Sequence, residues 1–256
     1  WKLLDAPSFE ESGNTGIALN EPEMVGVSNS AAGAPSPEMQ KLMEKLQEVD
    51  AQAGRMPPNK QGELTAQRAA LLRQLAEVTP DPQLRNQWYE QLADMVSAAV
   101  QTGGYEEGVD ELDELARRLR KAKAGDNVIA HVTFRKMLSE YMLAQQKPKA
   151  NLVEIQEKWL ADLEDFADEY PRSPDAAEAQ LQLGMSQEFA GEADEAAEWY
   201  ERIVKNFPNT DRARKAAGAL HRLDSEGKRI GLRGPALRCG QGDLSAYRGK
   251  LALIQY

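Results

Sequence analysis

The chain has 256 residues, 41% of them hydrophobic and 28% charged, the balance of a globular protein with room for one large or two smaller domains. A net charge of −10 and an isoelectric point near 4.9 exclude the clustered positive field that nucleic-acid phosphates require. The single cysteine, Cys239, excludes an internal disulfide framework and a multi-thiolate metal centre, and no stretch approaches the ~18 apolar residues of a transmembrane helix.

Trp1-Lys2-Leu3-Leu4-Asp5-Ala6-Pro7 opens the chain without an initiator Met and alternates like the last strand of an upstream domain, so 1–7 is read as the end of one. Residues 8–36 are rich in Gly, Ser, Asn, Ala, Pro and Glu without periodicity and read as a flexible linker, its most mobile part expected near Ser28 to Pro35. At Pro37 the composition turns to helix formers, with Met39, Leu42, Met43 and Leu46 at spacings of three and four. A helical repeat domain is expected over 37–226. Its helices are predicted at 37–53, 60–78, 82–102, 105–123, 126–146, 152–169, 174–190, 192–206 and 210–224. The breaks are Met56-Pro57-Pro58, Thr79-Pro80-Asp81, Gly103-Gly104, Ala124-Gly125, Lys147-Pro148, Tyr170-Pro171, Gly191 and Phe207-Pro208. Loops this short make neighbouring helices antiparallel. Asp81, Asp126, Ser173 and Thr210 or Asn209 are the expected N-caps, each able to accept a hydrogen bond from an unpaired first-turn amide.

Charge is distributed unevenly. Between Asn151 and Phe207 fifteen Asp and Glu face four Lys and Arg, which reads as the solvated side of a helical surface rather than an acidic docking face. Arg212, Arg214, Lys215, Arg222, Lys228, Arg229, Arg233 and Arg238 tilt the following segment basic, complementing the acidic hairpins before it. Asp110, Glu111, Asp113 and Glu114 are read as the solvated face opposite the apolar stripe of Val109, Leu112 and Leu115, not as an acid-base pair. His131 and His221 lie far apart, with no ligand at i+4 and no neighbouring Cys, so no metal site is assigned to them. Gly231-Leu232-Arg233-Gly234 lacks the strand-turn-helix setting of a phosphate loop. Trp159, Phe166, Tyr170 and Trp199 are placed in the packing between helices rather than in a ligand cage. Cys239 is read as a small filler in a strand, having only Arg238 beside it to lower its thiol pKa. No catalytic, cofactor-binding or metal-ligating residue is assigned, and no cofactor is expected.

The helix pairs echo one another. Tyr170-Pro171-Arg172-Ser173 and Phe207-Pro208-Asn209-Thr210 align 37 residues apart, and a period of that size means stacked helical hairpins, none able to bury its apolar face alone. Over 180–208 the chain resembles a tetratricopeptide repeat: Leu183-Gly184, Ala196, Tyr200 and Pro208 stand at that family's Leu-Gly, small, aromatic and Pro positions. It departs from the pattern at Gln187, where Tyr is usual, and at Ile203, where Ala is usual; Trp159 and His221 stand at positions of the flanking hairpins where small residues are expected. Trp88, Tyr89, Leu92 and Tyr105 hint at a further hairpin upstream. The resemblance implies a mostly α fold of antiparallel hairpins wound into a tetratricopeptide-like superhelix, with proteins or peptides as partners.

Beyond 226 the signal changes. Leu251-Ala252-Leu253-Ile254 after Arg248-Gly249-Lys250 reads as a strand buried on both faces. A small hairpin, Ala236 to Cys239 against Asp243 and Leu244 across Gly240-Gln241-Gly242, is expected before it. Strands so few are marginal alone and are expected to lean on the helices or to be poorly ordered. Gly234-Pro235-Ala236, the Gly-rich hairpin, Leu244-Ser245, Tyr247 and Gly249-Lys250 with the apolar strand together resemble the start of a TlpA-type thioredoxin-like redoxin. The resemblance makes 227–256 the truncated start of a thioredoxin-like domain whose Trp-Cys-x-x-Cys motif lies past Tyr256. It implies a fragment of a bacterial thiol-disulfide oxidoreductase, thiol or disulfide proteins as partners of the missing domain, and a place in the cell envelope or periplasm, membrane-associated through a missing N-terminal segment. The alternatives are a non-enzymatic helical-repeat adaptor and a peroxiredoxin-like domain with one peroxidatic cysteine.

Overall fold

A computed structural model describes residues 35–53, 61–225, 228, 233–235 and 241–243. Among these the fold is mostly α, with nine helices: α1 (Pro37–Ala53), α2 (Gln61–Val78), α3 (Pro82–Gln101), α4 (Gly108–Lys121), α5 (Asp126–Gln146), α6 (Leu152–Glu169), α7 (Pro174–Ala190), α8 (Ala193–Asn206) and α9 (Asp211–Asp224). Eight of them start and end within a residue of the expected bounds because Pro, Gly and cap residues mark both ends. α4 starts three residues later than expected. Tight turns at Tyr105 to Gly108 and Glu106 to Val109 precede it, with backbone bonds of 3.1 and 3.5 Å.

Capping follows side-chain chemistry. Asp81 accepts from the Leu84 amide at 2.7 Å, Ser173 from Asp175 at 3.2 Å and Thr210 from Ala213 at 3.1 Å. Asp126 is not a cap: Gly125 holds that position, which places Asp126 inside the first turn, where its charge still favours the helix N-terminus. Ser36, counted with the linker in the sequence reading, caps α1 through the Met39 amide at 3.2 Å. Replacing Thr210 by alanine is expected to lower stability by about 1 kcal/mol, read as a lower urea midpoint at unchanged slope.

The helices form two rows. α3, α5, α7 and α9 lie side by side, and α4, α6 and α8 each pack across the neighbouring pair, with α2 packed on α3 and α1 on α2 at the N-terminal end. The 37-residue echo is also geometric. Tyr170 (φ −123°, ψ 54°) and Phe207 (φ −127°, ψ 47°) end their helices in the same conformation, each donating its amide to the i−4 carbonyl at 2.9 Å. Gly191, at φ +86°, closes α7 in the left-handed region that a residue without Cβ adopts freely.

Two hydrophobic cores result, and α5 belongs to both. Ala130, Phe134 and Leu138 join the core built with α6 to α9, while Val128, Ile129 and Val132 join the one built with α1 to α4. A helix apolar on opposite faces has to be covered on both.

The C-terminal β segment is described only as a two-stranded antiparallel ladder, β1 (Arg233–Pro235) with β2 (Gln241–Asp243). Its register pairs Arg233 with Asp243, Gly234 with Gly242 and Pro235 with Gln241. The expected hairpin is thereby corrected, since Gln241 and Gly242 lie in a strand and not in the turn. Cys239, Leu251 to Ile254, Met56 to Pro58 and the segments 1–7 and 8–34 lie outside the described residues.

Candidate protein-interaction surface

The surface is built on α7. Ser173 and Pro174 start this helix, and Leu183, Gly184, Gln180 and four alanines or leucines bury its inner face. Gly184 is there because of Tyr200. A Cβ at position 184 would stand 2.6 Å from Tyr200 Cε1 and 2.9 Å from Cδ1, so the ring of α8 lies against bare backbone of α7. Ala196, Tyr200 and Ile203 are all fully buried, which gives the Ile203 departure from the repeat pattern its reason: the position is large and apolar here.

Tyr200 also carries a polar link. Its hydroxyl donates to Glu188 Oε2 at 3.0 Å, and Arg222 of α9 donates to both Glu188 oxygens at 2.7 Å. The Arg222 guanidinium holds the Glu188 carboxyl below its usual range, while burial and the bond to Glu188 push the Tyr200 phenol up to about 12. Arg212 to Glu178 at 2.9 Å and Arg202 to Asp168 at 3.5 Å repeat the same connection, each 34 residues apart, between equivalent helices of successive hairpins. The basic tilt of the C-terminal segment thus meets the acidic hairpins at Arg212 and Arg222.

A second polar link joins the two halves of the stack. His131 of α5 lies between Asp94 of α3 (Nε2 to Oδ1, 2.9 Å) and Asp175 of α7 (Nδ1 to Oδ2, 3.1 Å), and Arg135 reaches the same Asp94 oxygen at 2.5 Å. Burial disfavours the imidazolium, but hydrogen bonds to Asp175 and Asp94 outweigh it and lift the pKa to about 9. Burial raises the pKa of Glu90 nearby, aided by Asp94 and Asp175 and opposed by His131. Sequence separations of 37 and 44 residues hide this cluster, because nothing local to any member announces it. His221, by contrast, is exposed on α9. Among the described residues no group of three or more His, Cys, Asp or Glu is placed to hold a metal ion.

The aromatic residues pack as helix contacts. Trp159 stacks on Tyr141 at 4.7 Å and donates to Gln182 at 3.1 Å; Phe166 lies 5.3 Å from both Phe134 and Tyr170. Trp199 is half-buried under the Arg202 guanidinium at 4.4 Å. The acidic run of α4 needs a correction, since it is more than a solvated face. Glu111 is paired with Arg73 of α2 and accepts from the Tyr105 hydroxyl at 2.9 Å, and Asp113 reaches Lys136 of α5 at 3.2 Å.

The large apolar side chains left exposed among the described residues are Leu152, Val153, Met185, Phe189 and Val204. Met185 and Phe189 are one helical turn apart on α7, and Phe189 is 91% exposed. Such an arrangement offers apolar anchors on a rigid frame.

Fold and surface define a helical-repeat protein whose C-terminal part is tetratricopeptide-like. The family model of the tetratricopeptide repeat matches residues 177–220, which is α7 from its first turns, α8 and most of α9. Comparison with curated proteins and with solved structures found no match. No described helix is long and apolar enough to cross a membrane.

Proposed function

We propose that the helical stack is a protein-interaction scaffold that brings partner proteins to a thiol-disulfide exchange domain of the TlpA type, in a bacterial cell envelope or periplasm. The scaffold half is carried by the α7 to α9 unit, where the tetratricopeptide match coincides with a tightly packed hairpin and exposed apolar side chains. Tetratricopeptide repeats generally mediate protein–protein contacts. The redox half rests on the likeness of Gly234-Pro235-Ala236, Leu244-Ser245, Gly249-Lys250 and the following apolar run to TlpA-type redoxins. That likeness places the catalytic cysteines past Tyr256 and leaves Cys239 without a catalytic part. Partners are then proteins or peptides on the helices and thiol or disulfide proteins at the redox centre, with no nucleic acid and no metal.

A second reading is a helical-repeat adaptor without redox activity, and it is favoured by the family match, which covers the repeat alone. Reading the gene past Tyr256 and assaying insulin disulfide reduction by the extended protein separates the two. Reduction that disappears when a Cys-x-x-Cys pair downstream is changed to serine supports the oxidoreductase. An inert product, or a reading frame without those cysteines, leaves the adaptor.

A further inference from the structure

We infer that the edge of the stack where α5 turns into α6 and α7 turns into α8 is a docking site for a basic amphipathic segment of a partner protein. The inference rests on the scaffold reading and gives it a place and a chemistry. The hydrogen bond from Trp159 to Gln182 sets the antiparallel register of α6 and α7. Leu152 lies seven residues before Trp159 and Phe189 seven after Gln182, so both sit about 10 Å from that bond toward the same edge. Leu152 and Val153, 60% and 66% exposed, therefore share this edge with Met185 and Phe189, 47% and 91% exposed, while Val204 lies at the opposite edge.

Charge selects the occupant. Glu154 and Glu157 on α6, Glu192 before α8, and Asp194 and Glu195 in its first turn are exposed and make no ion pair among the described residues. The carboxylates facing inward are already engaged, Glu178 with Arg212 and Glu188 with Arg222. Lys147, Lys149 and Arg222 lie at the same edge, the last bound to Glu188. Apolar anchors ringed by unpaired carboxylates fit a segment with an apolar stripe flanked by Lys and Arg, the helix-in-groove mode of recognition.

The probe is a fluorescein-labelled helical peptide of about 18 residues with Leu along one face and Lys elsewhere, titrated by anisotropy into the full chain. Phe189→Ser with Met185→Ser is expected to weaken binding about tenfold or more. Glu192→Lys with Glu195→Lys is expected to weaken it several-fold and to flatten its dependence on salt. All four side chains are exposed, so folding is retained, which far-ultraviolet circular dichroism checks. Equal affinity for wild type and both variants excludes this edge and leaves the scaffold reading standing. Absence of binding at any concentration also overturns the proposal. So does a dimer that Phe189→Ser dissolves, because a second copy is then the occupant, and so does equal binding of a peptide with Glu in place of Lys.

Discussion

Truncating Tyr200 to alanine is expected to lower the unfolding free energy by about 3–5 kcal/mol, among the largest losses a single side chain can cause. The ring is fully buried between α7 and α8, and its hydroxyl is the donor to Glu188 that Arg222 also engages. Removal leaves a cavity at the tightest helix contact and takes away the hydroxyl's bond to Glu188, so that Arg222 of α9 alone still holds that carboxylate. Gly184→Ala probes the same contact from the other side. A Cβ placed 2.6 Å from the ring forces α7 and α8 apart and is expected to cost about 1–3 kcal/mol. The double variant tests the mechanism. With the ring gone the new methyl meets empty space, so the two losses are expected to add to less than their sum in urea unfolding. Full additivity would mean that Gly184 is small for a reason other than Tyr200.

The second large effect concerns His131. Its bridge between Asp94 and Asp175 joins α3, α5 and α7, and with them the two cores. His131→Ala leaves Asp175, nearly buried, without its counter-charge, and is expected to cost about 3 kcal/mol. The direction with pH follows from linkage. The folded imidazole has its pKa raised to about 9 from the ordinary 6.5 of a histidine. The bridge therefore contributes fully below about pH 6.5 and loses its contribution as pH rises through about 9, a total of about 3 kcal/mol. Stability measured by urea unfolding between pH 6 and pH 10 is expected to fall over this window in the wild type, and to fall less in His131→Ala. Parallel profiles for the two proteins would show that the bridge contributes nothing.

Much of the fold was legible in the sequence because its signals are local. Pro82, Ser173-Pro174, Gly191 and Phe207-Pro208 punctuate the chain, and the spacing of Leu183, Gly184, Ala196 and Tyr200 carries the repeat. The small residues are legible as a pattern; that Gly184 meets the face of Tyr200 is visible only once α7 and α8 are packed. The His131 bridge was illegible because its partners come from helices on either side, and a histidine on a helix looks alike whether it faces water or two carboxylates. Glu111 and Asp113 of α4 were misread for the same reason, since Arg73 and Lys136 arrive from other helices. Phe189 carries no local signal of its exposure, because whether an aromatic near a helix end is covered depends on where the neighbouring helix lies.

The central claim, that this helical stack engages other proteins, is tested most directly by placing a photo-cross-linking phenylalanine at position 189 in the full-length protein in its own cells, with position 204 at the opposite edge as control. The account predicts a discrete adduct with a second protein from position 189 and none from 204. No adduct at 189, or one only within the same chain, would contradict it.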